Sequence, residues 1–306
     1  MEKTKVLYVA GVERSGSTIF HNVLGQASDL CACGELRQLW HRSLLQGRPC
    51  GCETEPLADC PFWQEVFKQA YGGIENVRAE RWYAYRRRMR TRHFPLLFLP
   101  KGDALLRSRL EEYPSVLEQL YTAIHDVSEC SVVVDSSKSP THAWLLATIP
   151  ELDVFVVHLH RDPRGVAYSI LKRKRQGHPR YSDRSLWWSV ARWRIGNYFS
   201  EKLRAIEGLK YKKVCYETFT KHPLKVTEQV LDWIGTNSEN LSWINGSTVN
   251  LDTTHTTQGS PHRFSTGTIR LRQDDSWKEN LGHDEIKYVE RWAGRLMDRY
   301  GYDRMH

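Results

Sequence analysis

At 306 residues, with 40% hydrophobic residues and eleven Trp, the chain can bury a sizeable core as one large α/β domain or two modest ones, and its composition excludes a disordered chain. No segment approaches the roughly eighteen consecutive apolar residues that a membrane-spanning helix needs. The formal net charge of +8 suits an anionic small ligand, a nucleic acid, an acidic polymer or a membrane surface equally well, so it excludes none of them.

In chain order, Met1–Lys5 leads into six mostly apolar residues, Val6 to Gly11, before Glu13 and Arg14 intervene. That run is too short for a signal-peptide core and predicts a first β-strand over Lys5–Ala10. A soluble, cytoplasmic protein is expected, with peripheral membrane contact left open. Gly11 and Gly16 then bracket four residues, and Ser17-Thr18 open a helix over Thr18–Gln26 with Ile19, Val23 and Leu24 apolar. A strand–loop–helix of this kind turns backbone N–H groups and the positive end of the helix dipole toward an anion. The spacing is that of a Walker A loop, but Ser17 stands where G-x4-G-K-[ST] has its Lys. Nucleoside triphosphate chemistry uses that Lys, so its loss argues against an ATPase or kinase. A basic residue, Arg14, stands earlier in the loop instead.

Glu35 follows in Cys33-Gly34-Glu35-Leu36-Arg37. From about Leu36 to Pro100 the sequence departs from strand–helix alternation, and this Cys-, Trp- and Arg-rich stretch predicts a mostly helical insertion or lid. Five of the seven Cys fall close together: Cys31, Cys33, Cys50, Cys52 and Cys60. Free thiols are the default in a reducing compartment; a local disulfide and a zinc site are the alternatives, although C-x-C pairs lack the two-residue spacing usual among zinc ligands. In Arg81 to Arg92, basic and aromatic residues interleave. The segment reads first as an amphipathic helix with a solvated basic face and second as a nucleic-acid surface.

Beyond the insertion, strands over Ser131–Val134, Asp153–His160 and Lys212–Tyr216 alternate with helices over Tyr113–Ser128, Arg164–Lys174, Ser185–Glu207 and Lys225–Ile234. The pattern predicts one α/β domain, residues 1–306, with a P-loop-like parallel β-sheet flanked by helices. The Trp of Leu186–Trp193 fall at helical spacing and read first as core and second as a carbohydrate platform. Residues 237–283 read as a loop-rich tail ahead of a last helix near Asp284–Arg299. Ligands of such sheets bind beyond the carboxyl ends of the strands, and each end here carries polar residues. Lys138 lies ahead of Pro140, and Arg161 lies ahead of a helix that opens at Pro163 and carries Ser169 and Arg173.

These motifs together resemble the sulfotransferases that use 3′-phosphoadenosine 5′-phosphosulfate (PAPS), over nearly the whole chain. The resemblance implies that Arg14, Ser15, Gly16, Ser17 and Thr18 bind the 5′-phosphosulfate. It implies that the run from Arg161 through Ser169 binds the 3′-phosphate, with Arg173 one turn beyond. The motif order is similar to the tyrosylprotein and Golgi-type branch, which implies Glu35 as catalytic base, Lys138 on the sulfuryl group and Tyr216-Glu217 near the adenine. The segment His255–Arg263 resembles a bacterial loop that closes over the cofactor through Gly259 and Arg263, with Ser260 where Asn is expected. Cys60-Pro61-Phe62-Trp63 is similar to bacterial members and assigns no role.

An in-line transfer through a loose transition state spreads charge onto the bridging oxygen, where Arg14, Lys138 and the loop amides would stabilise it. The sulfuryl group carries less negative charge than a phosphoryl group, so no metal is expected to be required. The expected reaction sulfates a hydroxyl of a small molecule, sugar or lipid and releases adenosine 3′,5′-bisphosphate. No nucleic-acid partner is expected. The alternatives are a P-loop small-molecule kinase and a polyanion- or nucleic-acid-binding protein. Family members act on diverse acceptors, so the acceptor stays open.

Overall fold

The structure, a computed structural model, describes residues 3–238 and 240–305. Strands β1 (Thr4–Gly11), β2 (Leu30–Gly34), β3 (Val132–Lys138), β4 (Leu152–His160) and β5 (Leu209–Cys215) form a parallel sheet in the order β2-β3-β1-β4-β5. The strand that feeds the anion loop therefore lies at its centre. Successive strand residues point to opposite faces, so both faces must be covered. Val6, Tyr8 and Ala10 pack with Val133, Val154 and Val156 on one side. Leu7 and Val9 pack with Val132, Val134 and Phe155 on the other. Burial on both faces is why β1, β3 and β4 read as largely apolar runs.

The helices are α1 (Ser17–Leu24), α2 (Pro61–Tyr71), α3 (Ala79–Arg88), α4 (Gly102–Arg107), α5 (Tyr113–Ser128), α6 (Pro140–Ala147), α7 (Pro163–Arg175), α8 (Leu186–Lys202), α9 (Tyr216–Lys221), α10 (Pro223–Ile234), α11 (Trp277–Asn280) and α12 (His283–Arg299). The 36–100 segment, α2 and α3 joined by short 3-10 and π turns, is built into the core. Trp40, Trp63, Phe67, Trp82 and Phe94 share one apolar cluster with α5 and with β1. Buried Trp40 still satisfies its indole by donating to Tyr113 Oη at 3.1 Å. On the opposite face, α1, α9 and α10 bury Phe20, Val23, Phe219 and Val230. Helices α7, α8 and α12 form a third cluster around Val166, Trp193 and Met297.

The structure differs from the sequence reading at particular elements. Strand β2, Leu-Cys-Ala-Cys-Gly, is an edge strand of five residues without a β-branched side chain, so composition did not mark it. Helix α6 buries Pro140 through Leu146 and therefore carries no amphipathic period. The tail is not loop throughout: β6 (Ile244–Asn245), β7 (Thr248–Leu251) and β8 (Gly267–Arg270) form a small antiparallel sheet. The helix expected to reach Glu207 ends at Lys202 and passes into a 3-10 turn.

The core reading of the Trp-rich helix holds for Trp193, 1% exposed, and not for Trp187, 63% exposed. Helix α3 is amphipathic: Trp82 and Tyr85 are buried, while Arg81 and Arg88 pair with Glu112 and Glu111. Among the described residues, no helix is long and apolar enough to cross a membrane.

Candidate active site

The carboxyl ends of β1, β3 and β4 open onto a cleft of about 1070 Å³. Twelve Arg and Lys but only three carboxylates line it, which fixes its sign: it suits an anion. All the site residues expected from sequence lie along it except Ser15, which is fully buried beneath the loop.

The loop reaches α1 through two residues in the left-handed region, Arg14 at φ 68° and Gly16 at φ 87°. A non-glycine residue held there is strained, a condition that clusters at ligand sites. Helix α1 has no side-chain cap. Its first bond runs from Phe20 N–H to Gly16 O at 3.1 Å, so the N–H groups before Phe20 have no intrahelical acceptor and are available to an anion. A Cβ on Gly16 would lie 2.2 Å from the Tyr216 ring. Gly16→Ala is therefore expected to cost about 1–3 kcal/mol from the backbone alone and to weaken nucleotide binding, measurable by urea unfolding and by ligand-induced thermal shift.

Glu35 is brought in by the end of β2. Gly34 stands at φ 78°, where a Cβ would meet Gln258 O at 2.6 Å, and this close approach is the reason a glycine precedes the carboxylate. Glu35 N–H donates to Gln258 O at 3.1 Å, and Gly34 N–H donates to His21 Nε2 at 3.0 Å. Burial, reinforced by the Lys138 charge, pushes His21 down to about 3, so it is neutral and able to accept that bond.

From β3, Lys138 (φ 66°) donates to Glu35 Oε1 at 2.8 Å and to Ser136 O at 2.9 Å. Burial works against the Glu35 charge, but the Lys138 ammonium and its hydrogen bond, with Arg180 and Arg42, hold the carboxyl below its ordinary range. Beneath this pair, buried Asp135 accepts from Ser137 N–H at 2.8 Å and from Tyr121 Oη–H at 2.6 Å. Those bonds anchor the turn that presents Lys138.

On the other side, Arg14 Nε donates to Ser169 Oγ at 2.8 Å, while Arg161 donates to Arg14 O at 3.1 Å and to Asp274 Oδ2 at 3.1 Å. The Arg161 guanidinium lies 4.7 Å from the Tyr216 ring centre, and Trp193 Nε1 fixes its carbonyl at 2.8 Å. Arg173, one turn after Ser169 on α7, also lines the cleft. Glu217 is structural: it accepts from Asp162 N–H at 3.0 Å and from Tyr302 Oη–H at 2.9 Å.

Gly259 lies against Thr18, and the next residue, Ser260, donates its N–H to Thr18 Oγ1 at 3.3 Å. Arg263 donates to the carbonyls of Thr256 and Thr257, both at 3.1 Å, and of Pro49 at 2.9 Å, which ties the tail loop to the 36–100 segment. Sequence reasoning missed His21, Asp135, Gln258 and Asp274. Asp135, two residues before the Ser137 it holds, carried a local signal; the others act through contacts more than ten residues away.

A family model described as "Sulfotransferase family" matches residues 7–240. Over 171 residues the chain is 24% identical to carbohydrate sulfotransferase 1 of Danio rerio, covering 50% of this chain and 39% of that protein. Over 231 residues it is 23% identical to carbohydrate sulfotransferase 1 of Rattus norvegicus, covering 67% and 52%. The chain thus spans about half the length or less of these curated relatives. Among solved structures it is similar to a sulfotransferase domain from the curacin biosynthetic pathway, with TM-score 0.53 and 16% identity over 99% of both chains. It is also similar to the sulfotransferase domain of the Synechococcus PCC 7002 olefin synthase, with TM-score 0.52 and 20% identity over 96% of both. At these identities the likeness establishes a shared fold.

Proposed function

The chain belongs to the sulfotransferase family, and from that premise we propose that it transfers the sulfuryl group of PAPS to an acceptor hydroxyl with Glu35 as the base. One observation carries the reading. The Arg14–Ser169 bond at 2.8 Å and the Arg161–Arg14 bond at 3.1 Å join the loop and the α7 motif into one continuous anion-binding surface. A nucleotide with phosphates on two ribose positions needs two such anchors at once. The uncapped start of α1 and the excess of positive side chains along the cleft fit that ligand.

PAPS supplies the sulfuryl group and leaves as adenosine 3′,5′-bisphosphate. The loop N–H groups, Ser17, Thr18 and Arg14 would hold the phosphosulfate, and Arg161, Ser169 and Arg173 the 3′-phosphate. Tyr216 packs beneath Arg161 and Gly16, where it supports both anchors. Glu35 would take the acceptor's proton, and Lys138, hydrogen-bonded to it, would face the charge that develops on the bridging oxygen. Gly259 rests against Thr18 and Arg263 ties the tail loop to the 36–100 segment, so both would hold that loop over the cofactor.

The carbohydrate sulfotransferases among the relatives support a sugar hydroxyl as acceptor. Arg42 and Arg180, close enough to Glu35 to stabilise its charge, favour a sugar bearing its own anionic group.

Thermal unfolding with added nucleotides tests the donor. Adenosine 3′,5′-bisphosphate is expected to raise the midpoint more than 5′-AMP at equal concentration, because the ligand that binds the folded state more tightly stabilises it more. Stabilisation by ATP with Mg²⁺ alone would instead favour a kinase. Labelled PAPS offered to neutral and acidic saccharides then identifies the acceptor class.

A further inference from the structure

We propose that Cys50, Cys52, Cys60 and His255 bind a structural zinc ion that fastens the 36–100 segment to the tail beside the active site. Their ligand atoms all lie within 4.8 Å of one another. Cys60 Sγ is 3.3 Å from His255 Nδ1, Cys52 Sγ is 3.6 Å from Cys60 Sγ, and Cys50 Sγ is 3.8 Å from His255 Nδ1. A tetrahedral zinc with Zn–S of about 2.3 Å and Zn–N of about 2.0–2.1 Å has ligand–ligand edges of roughly 3.5–3.8 Å. Two of these three separations fall within those edges, and the third, Cys60 Sγ to His255 Nδ1 at 3.3 Å, is slightly shorter.

The surroundings are organised around the four groups. The Cys50-Gly51-Cys52 turn closes through Glu53 N–H to Cys50 O at 3.0 Å and Cys50 N–H to Thr54 O at 2.9 Å. Gly51 N–H donates to Thr256 O at 2.8 Å, and a Cβ on Gly51 would lie 2.4 Å from Thr254 O. The turn therefore sits directly on the stretch of tail that carries His255. The imidazole is stacked on Phe62 with ring centres 4.7 Å apart, and Trp63 Nε1 donates to His255 O at 3.0 Å. Cys60 immediately precedes α2, so the helix start fixes the backbone that presents its thiol.

Three thiolates and one imidazole form a soft donor set suited to zinc. With all four positions filled by protein, the ion would be structural rather than catalytic. Its position gives it a consequence for the active site. Two residues after His255, Thr257 N–H donates to Cys33 O at 2.8 Å, and Gln258 O accepts Glu35 N–H. The ion would thus hold the loop on which the Glu35 backbone rests.

Elemental analysis of the full chain, purified from zinc-supplemented medium, is expected to find about one zinc per chain. Cys60→Ser and His255→Ala are each expected to lose most of it. Should those variants not fold, cobalt exchanged into the wild-type chain after chelation reports independently: tetrahedral d–d bands and thiolate-to-cobalt charge transfer are expected. A folded wild-type chain with no stoichiometric metal overturns the proposal, as does a Cys52–Cys60 disulfide found by mass spectrometry. The readouts are metal content and spectrum, so they stand or fall apart from the PAPS reading.

Discussion

Glu35→Gln is expected to lower turnover by about 10²–10⁴-fold, the usual contribution of a positioned base, while adenosine 3′,5′-bisphosphate still binds. The substitution keeps the shape of the side chain and an oxygen able to accept from Lys138 Nζ, which stands 2.8 Å away. It removes the group's capacity to take a proton. Steady-state kinetics should therefore show the loss in kcat with little change in the KM for PAPS. Wild-type turnover in the variant would exclude Glu35 as the base.

The pH profile gives a second reading of the same residue. A base must be ionised to act, and Glu35 is held below its ordinary value of 4.5. Its activity should thus persist as pH falls through 5 and fail only below that value. The sign for stability is the same: a depressed carboxyl pKa stabilises the fold above its unfolded value, and that contribution is lost as pH drops through the folded one. An acid limb nearer 6 would point to a different base.

Arg161→Ala is expected to weaken binding of adenosine 3′,5′-bisphosphate by about ten- to a hundredfold, the range of one or two charge-assisted hydrogen bonds. Binding of 5′-AMP should fall much less. Arg161 is 6% exposed, with Asp274 and the Tyr216 ring fixing its guanidinium, so it is already oriented before a ligand arrives. Because Arg161 also supports the Arg14 carbonyl, Ser169→Ala serves as the milder test, with a smaller loss of the same selectivity. Calorimetric titration of both nucleotides decides it: equal losses for the two would remove the 3′-phosphate role.

Much of this was legible in the chain because it is local. The β1–loop–α1 unit is written in adjacent residues, since a strand, a glycine-bracketed turn and a helix start depend on nearest neighbours. The motifs at Lys138 and Arg161–Ser169 sit at strand ends that β-branched runs mark. Helix α5 matched its predicted bounds, Tyr113–Ser128, because a long amphipathic pattern meets no competing signal. Strand β2 was not legible, because an edge strand with two Cys and a Gly takes its conformation from pairing with β3.

The sequence by itself determined the β1–loop–α1 unit and marked the polar residues at the strand ends that line a cleft rich in positive charge, because those follow from local propensity and charge. Only the tertiary structure decided that Glu35 and Lys138 form one pair, that Arg14 answers to Ser169, and that His255 completes a cluster with three cysteines about two hundred residues earlier. The physical reason is the same in each case. These contacts are only a few ångströms long but connect groups about a hundred or more residues apart, and no local pattern encodes which distant groups the packed core will bring together.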